Sequence, residues 1–253
     1  MSNLAAIAKN TFKQAVRDKI LYGILVFALL FLGSIVVLGS LSLGENGFVV
    51  RSFGLAGIYI FGLIITIFLG ASTIYEEIEK KTTYFLLSKP VTRGDIIVGK
   101  FLGLLAAISV TTLLMLVAYL LIIKFNVGLL DYLALEAVLL QLLEMGILIA
   151  VIILFSIFTT PLAAIIYTIL VLYIGHLLSL IREFASKSAG ISEYILMLVY
   201  YLFPNLEKFN IRNLVVHQVS ISPKEFLAST GYALIYITLT LYVAKLLFNR
   251  KEL

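Results

Sequence analysis

Apolar runs recur six times along this chain, at 20–43, 52–75, 101–123, 137–158, 162–181 and 226–244. Each approaches or exceeds the roughly 20 helical residues that cross about 30 Å of hydrocarbon. The first three contain no charged residue; the fourth contains Glu144, the fifth His176, and the sixth is weaker, with several Thr, Ser and Tyr. A further apolar run at 194–203 is too short to span and reads as a re-entrant or interfacial helix stopped by Pro204. Residues 2–19 have a helical rather than uniform pattern. Leu4, Ile7, Ala8, Phe12, Ala15 and Val16 share one face, while Lys9, Lys13, Gln14, Arg17 and Asp18 lie largely opposite. That segment reads as an amphipathic helix lying on a leaflet, against the plainer reading of a solvated helix. The pattern predicts an all-α integral membrane protein with six transmembrane helices, an amphipathic N-terminal helix and an outer helical element before the last span. The chain, residues 1–253, reads as a single transmembrane domain, with no repeat of the whole span pattern.

Composition sharpens this picture by excluding alternatives. Of the 253 residues, 62% are hydrophobic and 13% charged, about half the charged share of a soluble domain, and the mean hydropathy is +1.10. Too little polar surface exists to coat a globule in water, so a soluble enzyme is excluded. The net charge of +5 fits membrane orientation, and no basic cluster with spaced aromatics points to nucleic acid. With the N-terminus inside, 12 of the 19 Lys and Arg fall on the inner side and 7 on the outer, five of those seven in the long loop 182–225. Both termini are therefore expected in the cytoplasm, with the protein in the plasma (inner) membrane. Residues 2–19 lack the form of a signal peptide. The absence of cysteine removes disulfides, thiolate zinc sites and a cysteine nucleophile. His176 and His217 form no helical zinc motif, so no metal site is expected.

The densest polar segment joins the second and third spans. Twelve of the twenty residues 76–95 are Glu, Asp, Lys, Arg, Thr or Pro, yet Ile78, Phe85, Leu86 and Leu87 are apolar. A greasy centre with a charged rim suits a short helix presented to a protein partner; a solvated turn whose lysines set topology accounts for the composition equally well. Thr92 followed by Asp95 resembles a capping box that starts the third span. Gly94 to Lys100 fits G-x-x-x-x-G-K, but Phe101 replaces the required Ser or Thr and no strand precedes it, so it is not read as a phosphate loop.

Within the spans, Glu144 stands out, because a carboxylate there must face protein or water, pair, or hold a proton. It either lines a substrate path or dimer seam, with Gln141 one turn away, or serves packing. His176 is read as a structural hydrogen-bonding residue rather than a ligand. Gly99 and Gly103 form G-x-x-x-G, a sign of close helix contact, and Tyr194, Tyr200 and Tyr201 suit an interfacial aromatic belt.

These residues resemble a known family. The run from Glu77 through Leu86-Leu87-Ser88-Lys89-Pro90-Val91-Thr92-Arg93 to Gly99-Lys100 is similar to a pattern in the membrane subunits of ABC type-2 exporters. It looks most like the small permeases linked to copper-enzyme maturation. Asn10-Thr11-Phe12 through Arg17-Asp18-Lys19 resembles that family's N-terminal elbow helix, and Phe203-Pro204-Asn205-Leu206-Glu207-Lys208-Phe209-Asn210 its last outer loop. Lys81 stands where many relatives have Gly. The resemblance implies that the loop 76–100 is a cytoplasmic coupling element. Ile78 to Leu87 would dock into a separate P-loop ATPase, with Glu77, Glu79, Lys80 and Arg93 at the rim and Thr82, Phe85, Leu86 and Leu87 in the same contact. It further implies two ATPase copies, ATP and Mg bound there and no cofactor on this chain, and a homodimer or a paired permease. Glu144 and Gln141 would lie near the translocation path. The competing classes are an ion-driven secondary transporter or channel, which would normally carry paired intramembrane charges, and a membrane enzyme, for which Glu144 and His176 on different helices form no recognisable set.

Overall fold

The computed structural model describes residues 3–41, 46–79, 92–128, 130–188 and 190–250, with 41 and 72–79 as helical backbone. Among these the secondary structure is helical: α1 (Asn3–Arg17), α2 (Lys19–Leu41), α3 (Asn46–Glu79), α4 (Arg93–Val127), α5 (Leu133–Ser156), α6 (Pro161–Lys187), α7 (Ile191–Leu202), a 3-10 turn (Leu206–Phe209), α8 (Arg212–Val216) and α9 (Pro223–Arg250). Six of them, α2 to α6 and α9, are long and apolar enough to cross a membrane. The chain is an all-α membrane protein, as the hydropathy pattern predicts. Helices are the natural answer because a backbone in hydrocarbon must satisfy its own hydrogen bonds. Buried hydroxyls follow the same rule locally: Thr66, Ser156 and Thr168 donate to the carbonyls of Gly62, Ile152 and Ala164, four residues back.

The helices outrun the apolar stretches, because polar residues extend them past the hydrocarbon. The third starts at Arg93 rather than 101, with Thr92 as N-cap. The Thr92 Oγ1 accepts from the Asp95 N–H at 3.2 Å, and the Asp95 carboxylate accepts from the Thr92 N–H at 3.1 Å. This is the capping box expected from sequence, and it makes residues 93–100 helical, a shape that cannot cradle a phosphate. The fifth long helix starts the same way, with Thr160 capping and Pro161 in its first turn. Ser222 and Glu225 exchange equivalent bonds at the start of α9.

Helix α5 is the hub, packing against α3, α4, α6, α9, the 3-10 turn and α8; every residue from Glu144 to Ile153 is buried. The outer helices turn large apolar side chains outward, such as Phe27, Leu30, Leu170 and Tyr173, as lipid contact requires. Helix α1 lies across the start of α4, with Thr11 and Ala15 buried. Gly99 and Gly103 make its seat: a Cβ at Gly103 would stand 2.6 Å from the Ala8 carbonyl oxygen. The G-x-x-x-G pair therefore serves a contact inside the chain. At the same end, the Arg93 guanidinium donates to the carbonyls of Phe248 and Asn249, binding the start of α4 to the end of α9. At the opposite end, the buried Asp131 accepts from the Tyr119 hydroxyl at 2.8 Å and lies 3.5 Å from Arg51.

The segment after α6 runs back into the bundle. Helix α7 folds down along α6, Pro204 ends it, and the 3-10 turn buries Leu206 and Phe209. Gly175 makes room, since a Cβ there would lie 2.7 Å from the Pro204 carbonyl oxygen and 2.8 Å from Leu206. The outer helical element foreseen from sequence is thus re-entrant, and it carries Glu207 and Arg212 inward. Glu207 stays partly exposed there and Arg212 half-buried.

Candidate functional site

Glu144 is the centre. It lies eleven residues into α5, about 16 Å along the axis at 1.5 Å per residue. The helix starts four residues before the apolar stretch expected from sequence, so Glu144 lies about one turn further from the helix start than from the start of that stretch. Its side chain is 1% exposed. The Tyr59 hydroxyl on α3 donates to Glu144 Oε1 at 2.7 Å, and His176 Nε2 on α6 lies 3.0 Å from the same oxygen and 2.8 Å from the tyrosine oxygen. On the far side of the ring, His176 Nδ1 meets Glu207 Oε2 at 2.8 Å. Glu207 Oε1 accepts from the Asn210 side-chain amide at 3.0 Å, and Arg212 Nε donates to Asn210 Oδ1 at 3.0 Å. The Arg212 guanidinium carbon stands 3.4 Å from the centroid of the Tyr59 ring, a cation–π stack.

Hydrogen-bond accounting assigns roles. Ionised carboxylates only accept, so with both ionised the ring between them donates from both nitrogens and is positive. In that state His176 and Arg212 match Glu144 and Glu207 charge for charge, the pairing by which ionisable groups sit among spanning helices. The geometry forms a carboxylate–imidazole–carboxylate chain from the 43%-exposed Glu207 to the buried Glu144. Such a chain can hold a proton at either end or break when the re-entrant segment moves. It does not converge on an ion, because His176 meets the two carboxylates with opposite nitrogens. Among the described residues no His, Cys, Asp or Glu group is arranged to hold a metal.

Other candidates fall in different places. Gln141 is buried one turn before Glu144 and donates to the Ile58 carbonyl at 3.1 Å, fixing α5 to α3 beside Tyr59. Arg93 is engaged with the end of α9, as described. Glu77, Ile78 and Glu79 continue α3 as helical backbone, and Lys80, Thr82, Phe85, Leu86 and Leu87 lie outside the described residues. His176 makes hydrogen bonds, as sequence reasoning favoured, but with the intramembrane carboxylate itself. Glu144 and His176, which sequence reasoning kept apart as isolated residues on different helices, form one group.

Sequence reasoning missed Tyr59, Arg212 and the role of Glu207. Tyr59 is one of 14 tyrosines and stands in an uncharged span, so nothing local marks it. The one available signal was the polar patch following Pro204, with an acid and a base five residues apart directly after an apolar helix too short to span.

The family model that matches the chain is described as ABC-2 family transporter protein and spans residues 5–253. No curated protein matches the chain.

Proposed function

Because this chain belongs to the ABC-2 transporter family, as that match over nearly its whole length establishes, we propose that it is the permease subunit of an ATP-driven exporter, driven by a separate P-loop ATPase. That match is the observation that carries the reading. Two permeases, identical or paired with a similar one, would work with two ATPases, which bind the ATP and Mg. The positive-inside asymmetry supports placing the α1 end and both termini in the cytoplasm of a plasma (inner) membrane. The narrower likeness to permeases linked to copper-enzyme maturation rests on the sequence runs around 77–100 and 203–210.

Ile78 to Leu87, with Thr82, Phe85, Leu86 and Leu87 in the contact, would dock on the ATPase, and Glu77, Glu79, Lys80 and Arg93 would form its rim. This element begins at the end of α3, and α3 carries Tyr59 twenty residues before Glu79, about 30 Å along a helix. A shift of α3 on ATP-driven closure would displace Tyr59 from Glu144 and His176. The hydrogen-bonded chain then differs between conformations, which is what coupling requires. Glu144 and Gln141 would stand beside the substrate path.

The test is affinity purification of the tagged chain in mild detergent. A stoichiometric P-loop partner, lost when Leu86 and Leu87 become Asp, supports the reading, and its ATP hydrolysis then serves as the screen for substrate. Unchanged export and unchanged substrate-stimulated hydrolysis in Glu144→Gln would remove Glu144 from the path. The second reading, an ion-driven transporter or channel, has one specific observation in its favour: the intramembrane Glu144–His176 pair, the kind of paired charge such proteins use. If the chain purifies alone and vesicles show ion flux without ATP, that reading replaces the first.

A further inference from the structure

Away from this cluster, a groove of about 420 Å³ lies between the start of α5 and the start of α9. That is within the usual volume of small-ligand sites, about 300–1,000 Å³. Its walls include Leu135, Leu139, Ile221, Phe226 and Leu227, with Pro223 at its edge. Leu135, Leu139 and Leu227 remain exposed, so the groove opens sideways toward lipid rather than along the axis of the bundle. One acidic residue, Glu136, enters this apolar lining, and its Oε2 is buried with no hydrogen-bond partner among the described residues.

The other carboxylates nearby are already matched. Glu207 faces His176 and Asn210, and Glu225 accepts from the Ser222 N–H. The nearby Lys208 ammonium stands over the Tyr232 ring, 4.4 Å from its centroid. A buried carboxylate oxygen without a donor is costly, and a donor attached to something apolar would satisfy it and fill the groove together. Lys224, which follows Pro223 of the lining at the start of α9, is exposed and carries a positive charge.

We infer that this groove is a binding site for a phospholipid whose head carries a primary ammonium. The ammonium donates to Glu136 Oε2, the phosphate meets Lys224, and the upper acyl chains lie along Leu135, Leu139, Phe226 and Leu227. The bilayer is the source because the groove opens to it. The site is independent of the transport reading and holds whether or not the chain works with an ATPase.

Native mass spectrometry of the delipidated, detergent-purified chain tests this, with equal amounts of phosphatidylethanolamine, phosphatidylcholine and phosphatidylglycerol offered together. Phosphatidylcholine keeps the phosphate and the positive charge but has no N–H, and phosphatidylglycerol has no ammonium. The expected result is about a tenfold preference for phosphatidylethanolamine, the scale of one charge-assisted hydrogen bond. Glu136→Gln removes the preference, and Leu139→Trp, which fills the mouth, lowers retention of all three. Equal retention in the unaltered chain, or a preference that survives Glu136→Gln, overturns the inference. If Glu136→Gln fails to fold, competition on the unaltered chain decides. Dodecylammonium should displace phosphatidylethanolamine where dodecanol does not, and equal displacement by both overturns the site.

Discussion

Removing the His176 ring while keeping Glu144 leaves the carboxylate, 1% exposed, with the Tyr59 hydroxyl alone. At 3.0 Å opposite unit charges attract by about 5 kcal/mol at an effective dielectric of about 20. Desolvation of both ions offsets several kcal/mol of this, which leaves a net coupling of about 2–3 kcal/mol. Breaking one side of a buried pair costs more than the pair contributes, about 3–5 kcal/mol, because the other charge is stranded. His176→Ala should therefore destabilise the fold by about 3–5 kcal/mol. Glu144→Gln keeps the tyrosine bond and should cost less. The double variant should fall short of the sum of the two by at least about 2 kcal/mol, since it no longer strands a buried charge at position 144. The assay is reversible unfolding by sodium dodecyl sulfate from mild-detergent micelles, run on all four proteins. Losses that add to within about 0.5 kcal/mol would mean the two groups do not interact energetically, and the charge-balanced cluster would have to be abandoned.

Three further outcomes are expected. Gly175→Val should force the Pro204–Leu206 strand of chain away from α6, costing about 1–3 kcal/mol and opening residues 203–211 to proteolysis or hydrogen exchange; unchanged protection would refute the close packing. Tyr119→Phe should lose about 1.5–3 kcal/mol by the same unfolding assay, because it strips a hydrogen bond from the buried Asp131 carboxylate. Thr92→Ala should cost about 1 kcal/mol through loss of the helix cap, and fraying of residues 93–96 should be visible in hydrogen exchange; equal exchange rates would show that packing alone holds the start of α4.

Hydropathy carried the architecture because the bilayer imposes one rule on every spanning segment. Six apolar runs therefore became six helices, and periodicity at Leu4, Ile7, Phe12 and Val16 gave α1 its orientation. The helix ends were harder to read, since hydropathy does not mark Thr92, Thr160 and Ser222; the Thr92–Asp95 spacing betrayed one of them, and Ser222–Glu225 has the same spacing but was passed over. In the candidate site, Glu144 was visible because a charge in an apolar run is rare. Its partners were not, because proximity here is not local: Tyr59 and His176 are 117 positions apart, and Glu207 and Arg212 reach the cluster only because residues 191–216 fold back inward. That fold depends on the missing Cβ of Gly175, one of 17 glycines, and on the stop at Pro204, neither of which names its contact.

The contacts that close the α1 end also set an order of assembly. During synthesis α1 emerges long before its seat, Gly99 and Gly103, is made, so it must wait on the membrane surface, where its amphipathic face can rest. The start of α4 waits longer still: the carbonyls that hold Arg93 belong to residues 155 and 156 positions later. The end of α9 is therefore a late latch on the start of α4. A chain stalled before Phe248 would lack these two acceptors and present an unfinished helix start to the quality-control machinery of the cell.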